Sequence, residues 1–145
     1  THIDMVVDKH GDPWVIDVGA RLASGLLMSV SVRDYYNYDF VRAAIQLAVG
    51  EMPPEIPTQG NGKYYASRAI IAHTDGILKS VTYDEKERSA CNVFSIIQMI
   101  PTGTRVDTAK ADADRILKFV VRDDSYERAI KDLDTFERSI QVTIE

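Results

Sequence analysis

Cysteine and long apolar runs are the two features that this sequence most clearly lacks. Cys91 is the one cysteine among 145 residues, so no disulfide can form within the chain, and we expect a reducing compartment, the cytoplasm. No apolar run approaches the roughly 20 residues that span a bilayer, so we expect no membrane partner. The longest weakly polar stretches, Ala69–Ala72 and Phe94–Ile100, have the length of strands.

Positive charge is also scarce. The chain carries 17 lysines and arginines against 22 acidic residues, which gives a formal net charge of −5. Non-specific binding to DNA or RNA depends on clustered cations that displace counterions from phosphates. We therefore expect no nucleic-acid partner, and the same acidic balance disfavours a metal nuclease.

The residues that are present match the composition of an ordinary folded domain. Hydrophobic residues make up 45% of the chain and charged residues 27%, which is enough apolar material for a core. The length suits one domain or two small subdomains. Thr1 is not an initiator methionine, and the first residues already follow a strand pattern, so we expect a truncated or proteolysed chain.

Short alternating runs separated by turn residues predict an α+β fold, mainly antiparallel, with hairpins and two main helices. Asp39 and Ser125 are placed to cap the two helices, because apolar residues follow each of them at helical spacing. Asp75-Gly76 predicts a second hairpin, between strands at 64–72 and 77–82. Asp84–Arg88 has the charge of a solvated loop. Further strands are predicted at 91–99, where Cys91 is expected to be a small buried side chain, at 115–121 and at 141–144.

Proline and glycine cluster in the middle of the chain. Pro53, Pro54, Pro57 and the triplet Gly60-Asn61-Gly62 interrupt both helical and strand patterns. We therefore place a subdomain boundary near residues 52–62. Residues 1–56 form one predicted part, and residues 57–145 form a second, β-rich part.

The first predicted hairpin carries the residues with a chemical interpretation. Thr1–Asp8 and Pro13–Val18 flank a turn at residues 9–12. With that four-residue turn, the residue numbers of two cross-strand partners add up to 21. Asp4 is therefore predicted to lie directly opposite Asp17. The same register places three apolar pairs on the other face, which we expect to be buried: Ile3 with Val18, Met5 with Ile16, and Val7 with Trp14 as a core anchor.

Two opposed aspartates need a compensating partner, because cross-strand Cβ atoms are only about 4.5–5.5 Å apart and the carboxylates repel each other. A shared proton, a basic side chain or a divalent cation would offset the repulsion, and a merely solvated pair is also common. Mg²⁺ suits the pair, since one or two carboxylates and substrate phosphates usually hold it. Arg21 follows Asp17 by four residues, where its guanidinium could hold a phosphate oxygen in bidentate fashion.

These residues resemble a known motif. His2-Ile3-Asp4, with the later segment Trp14-Val15-Ile16-Asp17-Val18-Gly19-Ala20-Arg21-Leu22, is similar to the closing strands of the ATP-grasp fold. The separation between Asp4 and Asp17 matches the amino-acid-ligase branch. The helix that ends before Gly50 resembles the one that follows this motif in the family. Residues 63–145 are similar in pattern to the C-terminal subdomain of these ligases and, more loosely, of the biotin carboxylase group.

The resemblance implies that the intact parent protein is a ligase, in which ATP activates a carboxylate as an acyl-phosphate and an amine attacks it. It implies that Asp4 and Asp17 bind Mg²⁺ or Mn²⁺, and that Arg21 is catalytic and cofactor-binding through the phosphate or acyl-phosphate. Residues 1–56 would be the C-terminal end of the catalytic domain, and 57–145 a C-terminal subdomain.

The family's ATP-binding residues lie upstream of this hairpin, which defines the expected partners. These are the missing N-terminal half of the same polypeptide and small-molecule carboxylate and amine substrates, with a homodimer also considered. The chain by itself is expected to be inactive.

The motif departs from the family at Asp4, Asp17 and Gly19, and Ala23-Ser24-Gly25 stands where a Gly-Gly step is common. Asp4 and Asp17 stand where the family usually has glutamate, so both side chains are one methylene shorter. Gly19 stands where the family usually has asparagine, which removes one metal or phosphate contact. These departures keep a second hypothesis open, a non-catalytic binding or interaction domain with a degenerate ATP-grasp site.

Overall fold

A computed structural model describes residues 2–23, 26–108 and 115–145. The chain forms two compact units, Thr1–Gly60 and Asn61–Glu145. Within the described ranges, helices and antiparallel sheets combine in an α+β fold, as predicted. No helix in those ranges is both long and apolar enough to cross a membrane.

The first unit consists of an antiparallel hairpin followed by helical segments. Strands β1 (His2–Val7) and β2 (Pro13–Gly19) form the hairpin, and a π-helical segment at Leu27–Val32 leads into helices α1 (Arg33–Tyr36) and α2 (Phe40–Ala48). Asp39 caps α2 as predicted, because its carboxylate accepts a hydrogen bond from the Arg42 amide at 2.9 Å. Gly50 follows the helix with a left-handed φ of 81°, the conformation that favours glycine.

The proline-rich segment packs against an aromatic cluster of the same unit. The rings of Tyr38 and Phe40 meet edge to face at 4.8 Å, and the Tyr38 hydroxyl donates a hydrogen bond to the Pro54 carbonyl at 2.8 Å. The ring of Tyr35 fills the space where a Cβ at residue 60 would lie, so Gly60 is required for this close approach. The segment before Gly60 is therefore held in place by specific contacts.

The apolar side chains of the hairpin are exposed on both faces, which contradicts the predicted buried face. Each of them keeps between 49% and 66% of its surface exposed. A two-stranded hairpin is marginally stable in water until a further layer covers it. The exposed set comprises Ile3, Met5, Val6, Val7, Trp14, Val15, Ile16 and Val18.

The second unit contains two three-stranded antiparallel sheets and two helices. One sheet has the order β3-β7-β5 and the other the order β6-β4-β8. The elements are β3 (Tyr64–Ile71), β4 (Gly76–Thr82), α3 (Glu85–Ala90), β5 (Val93–Gln98), β6 (Arg105–Val106), β7 (Arg115–Asp123), α4 (Tyr126–Ser139) and β8 (Gln141–Ile144).

The main core of this unit lies between α4 and the sheet that contains β7. Ser125 caps α4 as predicted, with its hydroxyl accepting a hydrogen bond from the Arg128 amide at 3.4 Å. Phe136 of α4 is fully buried and meets Phe119 of β7 edge to face at 5.0 Å. Cys91 is buried in the same cluster, as expected for a small apolar side chain.

Two predicted elements of the second unit were wrong. Strands β3 and β4 do not form a hairpin, because β3 pairs with β7 while β4 pairs with β6 and β8. Gly76 is explained by close packing, since a Cβ there would lie 2.7 Å from Ile144 Cγ2 and from the Glu145 carbonyl. The predicted charged loop at Asp84–Arg88 forms α3, capped by the Asp84 carboxylate, which accepts a hydrogen bond from the Lys86 amide at 2.7 Å.

Replacing Phe136 with alanine is expected to destabilise the second unit by about 3–5 kcal/mol, because it empties a fully buried aromatic site. Tyr126→Ala on the same helix is the matched control. Tyr126 is exposed and meets Tyr64 at 6.4 Å, so its loss should cost about 1 kcal/mol or less. Urea unfolding followed by far-UV circular dichroism measures both. Equal losses for the two variants would contradict this core assignment.

Candidate functional site

The turn of the first hairpin is organised by Asp8. One carboxylate oxygen of Asp8 accepts hydrogen bonds from the His10 amide at 2.8 Å and the Asp12 amide at 3.1 Å. The other oxygen accepts a hydrogen bond from the Trp14 indole N–H at 3.1 Å. Gly11 completes the turn with a φ of 90°, in the left-handed region that glycine favours.

This network lowers the pKa of Asp8 below its ordinary value. The His10 amide contributes most, followed by the Trp14 indole and then by the Asp12 amide, since all three hydrogen bonds favour the charged carboxylate. Sequence reasoning missed this residue. An aspartate directly before a glycine-containing turn is a recognisable signal, because aspartate side chains commonly bond the backbone two residues ahead.

The hairpin pairs Asp4 with Asp17, as the sequence predicts, and also pairs Ile3 with Val18 and His2 with Gly19. The rest of the predicted register was wrong. Beyond a bulge after Asp4, the strands pair one residue out of the predicted register. The observed pairs there are Met5 with Val15, Val6 with Trp14, and Val7 with Pro13.

A shorter turn and a bulge shift the strand register in opposite directions, so the predicted pairing of Asp4 with Asp17 is kept. The Asp8 amide donates a hydrogen bond to the Asp12 carbonyl at 3.0 Å, so the turn is one residue shorter than the predicted turn at 9–12. Ile16 is the extra residue at the bulge and restores the predicted pairing from Asp17 onward. Asp4 and Asp17 therefore remain direct partners, although Met5–Ile16 and Val7–Trp14 do not.

Asp4 and Asp17 lie on one face of the hairpin, because directly opposed residues of an antiparallel pair point to the same side. His2 lies on that face too, two residues before Asp4, and its Nε2 is 3.4 Å from Asp4 Oδ1. His2 therefore lies beside the carboxylate of Asp4.

Arg21 folds back over the same face. A Cβ at Gly19 would lie 3.3 Å from Arg21 Cγ and 3.8 Å from Arg21 Cζ. Alternate residues of a strand point to the same side, so the Cβ direction of Gly19 is also that of Asp17. The Arg21 Nη1 donates a hydrogen bond to the Leu22 carbonyl at 3.1 Å. Among the described residues, Arg21 forms no ion pair with Asp4 or Asp17.

Asp4 and Asp17 offer carboxylate oxygens, the donor type that Mg²⁺ prefers. No group of three or more His, Cys, Asp or Glu side chains in the described part of the chain is arranged to hold a metal ion. A closed site made of protein ligands alone is therefore not what these residues form. Two carboxylates alone suit Mg²⁺, which keeps waters and substrate phosphate oxygens among its ligands.

Other candidate residues have structural roles. Arg68 bonds Asp134 at 2.8 Å and also Glu137, both on α4. Burial raises the pKa of the Cys91 thiol, with Asp132 and Glu87 adding to the effect, so Cys91 is a poor nucleophile. His73 is exposed.

Comparison with known proteins gives no sequence match: no family model and no curated protein sequence matches this chain. Solved structures do match. Phosphoribosylglycinamide synthetase from Anaerococcus prevotii is similar over 99% of the chain, with a TM-score of 0.77 and 17% identity. L-amino acid ligase from Bacillus licheniformis is similar over 99% of the chain, with a TM-score of 0.79 and 17% identity.

A third similar structure is the biotin carboxylase domain dimer of Hydrogenobacter thermophilus 2-oxoglutarate carboxylase, in complex with MgADP, ADP and bicarbonate. It is similar over 98% of the chain, with a TM-score of 0.75 and 16% identity. The chain spans only 31–36% of the length of these three proteins. It has the fold of the C-terminal part of ATP-grasp ligases, as the sequence motif predicts.

The Asp8 network makes the hairpin sensitive to acid. The pKa of a free aspartate is about 3.9, and that of Asp8 in the fold is lower. The network therefore contributes stability above about pH 4 and loses it as the pH falls through the folded-state pKa. Trp14 is the one tryptophan, so its fluorescence should change in a step centred below pH 3.9.

Asp8→Asn is expected to abolish this step, because the titrating group beside the indole is gone. Asp12→Asn is the control, since Asp12 takes part in the turn through its backbone. The assignment would be contradicted by an unchanged step in Asp8→Asn, or by loss of the step in Asp12→Asn alone.

Proposed function

We propose that this chain is the C-terminal part of an ATP-dependent ligase, which joins a carboxylate to an amine through an acyl-phosphate. The observation that carries the proposal is the shared face of the hairpin. Asp4 and Asp17 are direct cross-strand partners there, and the Arg21 side chain folds over Gly19 on the same side. A carboxylate pair and a guanidinium on one face are suited to a metal–phosphate complex.

The three side chains have distinct proposed roles. Asp4 and Asp17 hold the divalent cation, which supplies positive charge to the phosphate oxygens of the nucleotide. His2, 3.4 Å from Asp4, orders that carboxylate. Arg21 binds an oxygen of the transferred phosphate or the acyl-phosphate and stabilises the charge that develops during transfer. Catalysis in this class of reaction depends mainly on such positioning and charge stabilisation.

The remaining residues of the site are proposed to lie in an N-terminal half of the same polypeptide. The three similar structures are about three times as long as this chain, which covers 31–36% of them. The hairpin also exposes apolar side chains on both faces, and such a sheet needs additional layers. We propose that the upstream half covers these faces and supplies the ATP-binding residues. A homodimer is the other proposed partner, by analogy with the dimeric Hydrogenobacter domain.

The test uses the full-length parent protein with ATP, Mg²⁺, and panels of carboxylates and amines. Release of ADP and phosphate that depends on both substrates is the expected result. Asp17→Asn should lower kcat/KM at least about a hundredfold, the scale expected when one charge-stabilising group is removed. Asp12→Asn, an exposed aspartate in the turn of the same hairpin, should leave the rate unchanged. The absence of turnover with every substrate pair would contradict the enzymatic proposal.

A non-catalytic binding domain is the second candidate. The shortened acids and Gly19 favour it, because each removes reach or a contact from the metal site. Titrating Mg²⁺ or Mn²⁺ against the full-length wild type and Asp17→Ala separates the two functions. Metal binding that Asp17→Ala abolishes, together with turnover, supports the ligase. If there is no turnover, or if metal binding does not depend on Asp17, the binding domain is favoured.

A further inference from the structure

A cavity beside helix α2 of the first unit shares no residue with the hairpin site. Its volume is about 500 Å³, within the range of roughly 300–1,000 Å³ that small-molecule sites occupy. Val41 and Ile45 lie one helical turn apart, and both are exposed, so they give the cavity an apolar wall. The polar side chains that line it are Ser29, Arg33, Asp39, Arg42, Gln46 and Glu51.

Two of the four charged side chains in this cavity neutralise each other. The Arg33 guanidinium lies 3.4 Å from Asp39 Oδ2, and Asp39 Oδ1 accepts a hydrogen bond from the Arg42 amide. Neither the Arg42 guanidinium nor the Glu51 carboxylate forms a hydrogen bond or an ion pair with any residue that the structure describes. Arg42 and Glu51 therefore offer one cation and one anion to a ligand.

These two charges lie at the ends of α2 where the helix dipole disfavours them. Arg42 is the third residue of α2, at the positive end of the dipole, and Glu51 follows the negative end. Gly50, with its left-handed φ, turns the chain so that the Glu51 amide donates a hydrogen bond to the Gln46 carbonyl at 2.8 Å, as in a Schellman motif. An anion beside Arg42 and a cation beside Glu51 would each be stabilised by the side chain and by the dipole.

We propose that this cavity binds a small zwitterion of the amino-acid type, a free amino acid or a dipeptide with an apolar side chain. Arg42 binds the carboxylate of the ligand and Glu51 binds its ammonium group. The apolar side chain of the ligand packs on Val41 and Ile45. Two arginines and two acids give the cavity no net charge, so a ligand with one charge of each sign suits it better than a net anion or cation. This inference does not rest on the proposed function, because it uses no residue of the hairpin.

The neutral polar side chains of the cavity agree with such a ligand. Gln46 lies one helical turn after Arg42, so both side chains are on the same side of α2. Within the described part of the chain, neither the Gln46 side-chain amide nor the Ser29 hydroxyl has a hydrogen-bonding partner. Both are available to a carboxylate oxygen or to the peptide group of a dipeptide.

The test is an NMR titration of the 145-residue chain with L-leucine and with glycyl-L-leucine. At least one of them is expected to shift the amide signals of Arg42, Gln46 and Glu51 in a saturable manner. The N-acetyl and the C-terminal amide derivatives of that compound should bind at least about tenfold more weakly, the loss expected for one hydrogen bond to a charged group. The inference is overturned if neither compound gives saturable shifts on α2, or if the derivatives bind as tightly as the zwitterion.

Charge-removing variants assign the two ends of the ligand. Arg42→Gln should weaken binding of the zwitterion at least about tenfold but bind its C-terminal amide as the wild type does. Glu51→Gln should weaken the zwitterion similarly but bind the N-acetyl derivative as the wild type does. Glu55→Gln removes an exposed acid that is not among the residues lining the cavity, and it should match the wild type throughout.

Wild-type affinity for the zwitterion in both Arg42→Gln and Glu51→Gln would overturn the inference. Far-UV circular dichroism checks that both variants keep the fold, which is expected because the substitutions change exposed or unpaired side chains. The derivatives test the same two charges on the wild type, so the inference can be refuted even if a variant fails to fold.

Discussion

The direct cross-strand pairing of Asp4 with Asp17 is the constraint around which the candidate site is organised. Asp4 and Asp17 are direct partners in an antiparallel hairpin, where like charges destabilise the pairing unless a cation or proton compensates them. A strand pair that keeps such an arrangement is suited to holding a cation. The nearby guanidinium of Arg21 adds positive charge on the same face. Among the described residues, it forms no ion pair with Asp4 or Asp17.

The geometry of that face depends on features at both ends of the hairpin. Asp8 fixes the turn through its bonds to His10, Asp12 and Trp14, and the bulge at Ile16 then brings Asp17 opposite Asp4. At the open end, Gly19 leaves room for the Arg21 side chain. The apolar side chains of the hairpin between these two ends are exposed on both faces.

Sequence patterns predicted the local elements well and the long-range ones less well. The caps at Asp39 and Ser125 were confirmed because a cap depends only on residues within one helical turn. The β3–β4 hairpin was wrong because a turn signal does not specify which strand a neighbour pairs with, and Gly76 proved to be a close-packing glycine. In the site, the Asp4–Asp17 pairing was confirmed, but the bulge was not predicted. Apolar residues occupy both faces of the hairpin, so the sequence of apolar and polar residues specifies its strand register only weakly.

The most direct test of the account is to locate a paramagnetic cation on the chain. Mn²⁺ prefers the same oxygen ligands as Mg²⁺ and broadens the NMR signals of nearby amides. At substoichiometric Mn²⁺, the amide signals of Asp4 and Asp17 should broaden first, and Asp4→Asn should remove this effect. Strongest broadening at the acidic residues of the second unit, such as Asp123 and Asp132, or equal broadening in Asp4→Asn, would contradict the central claim.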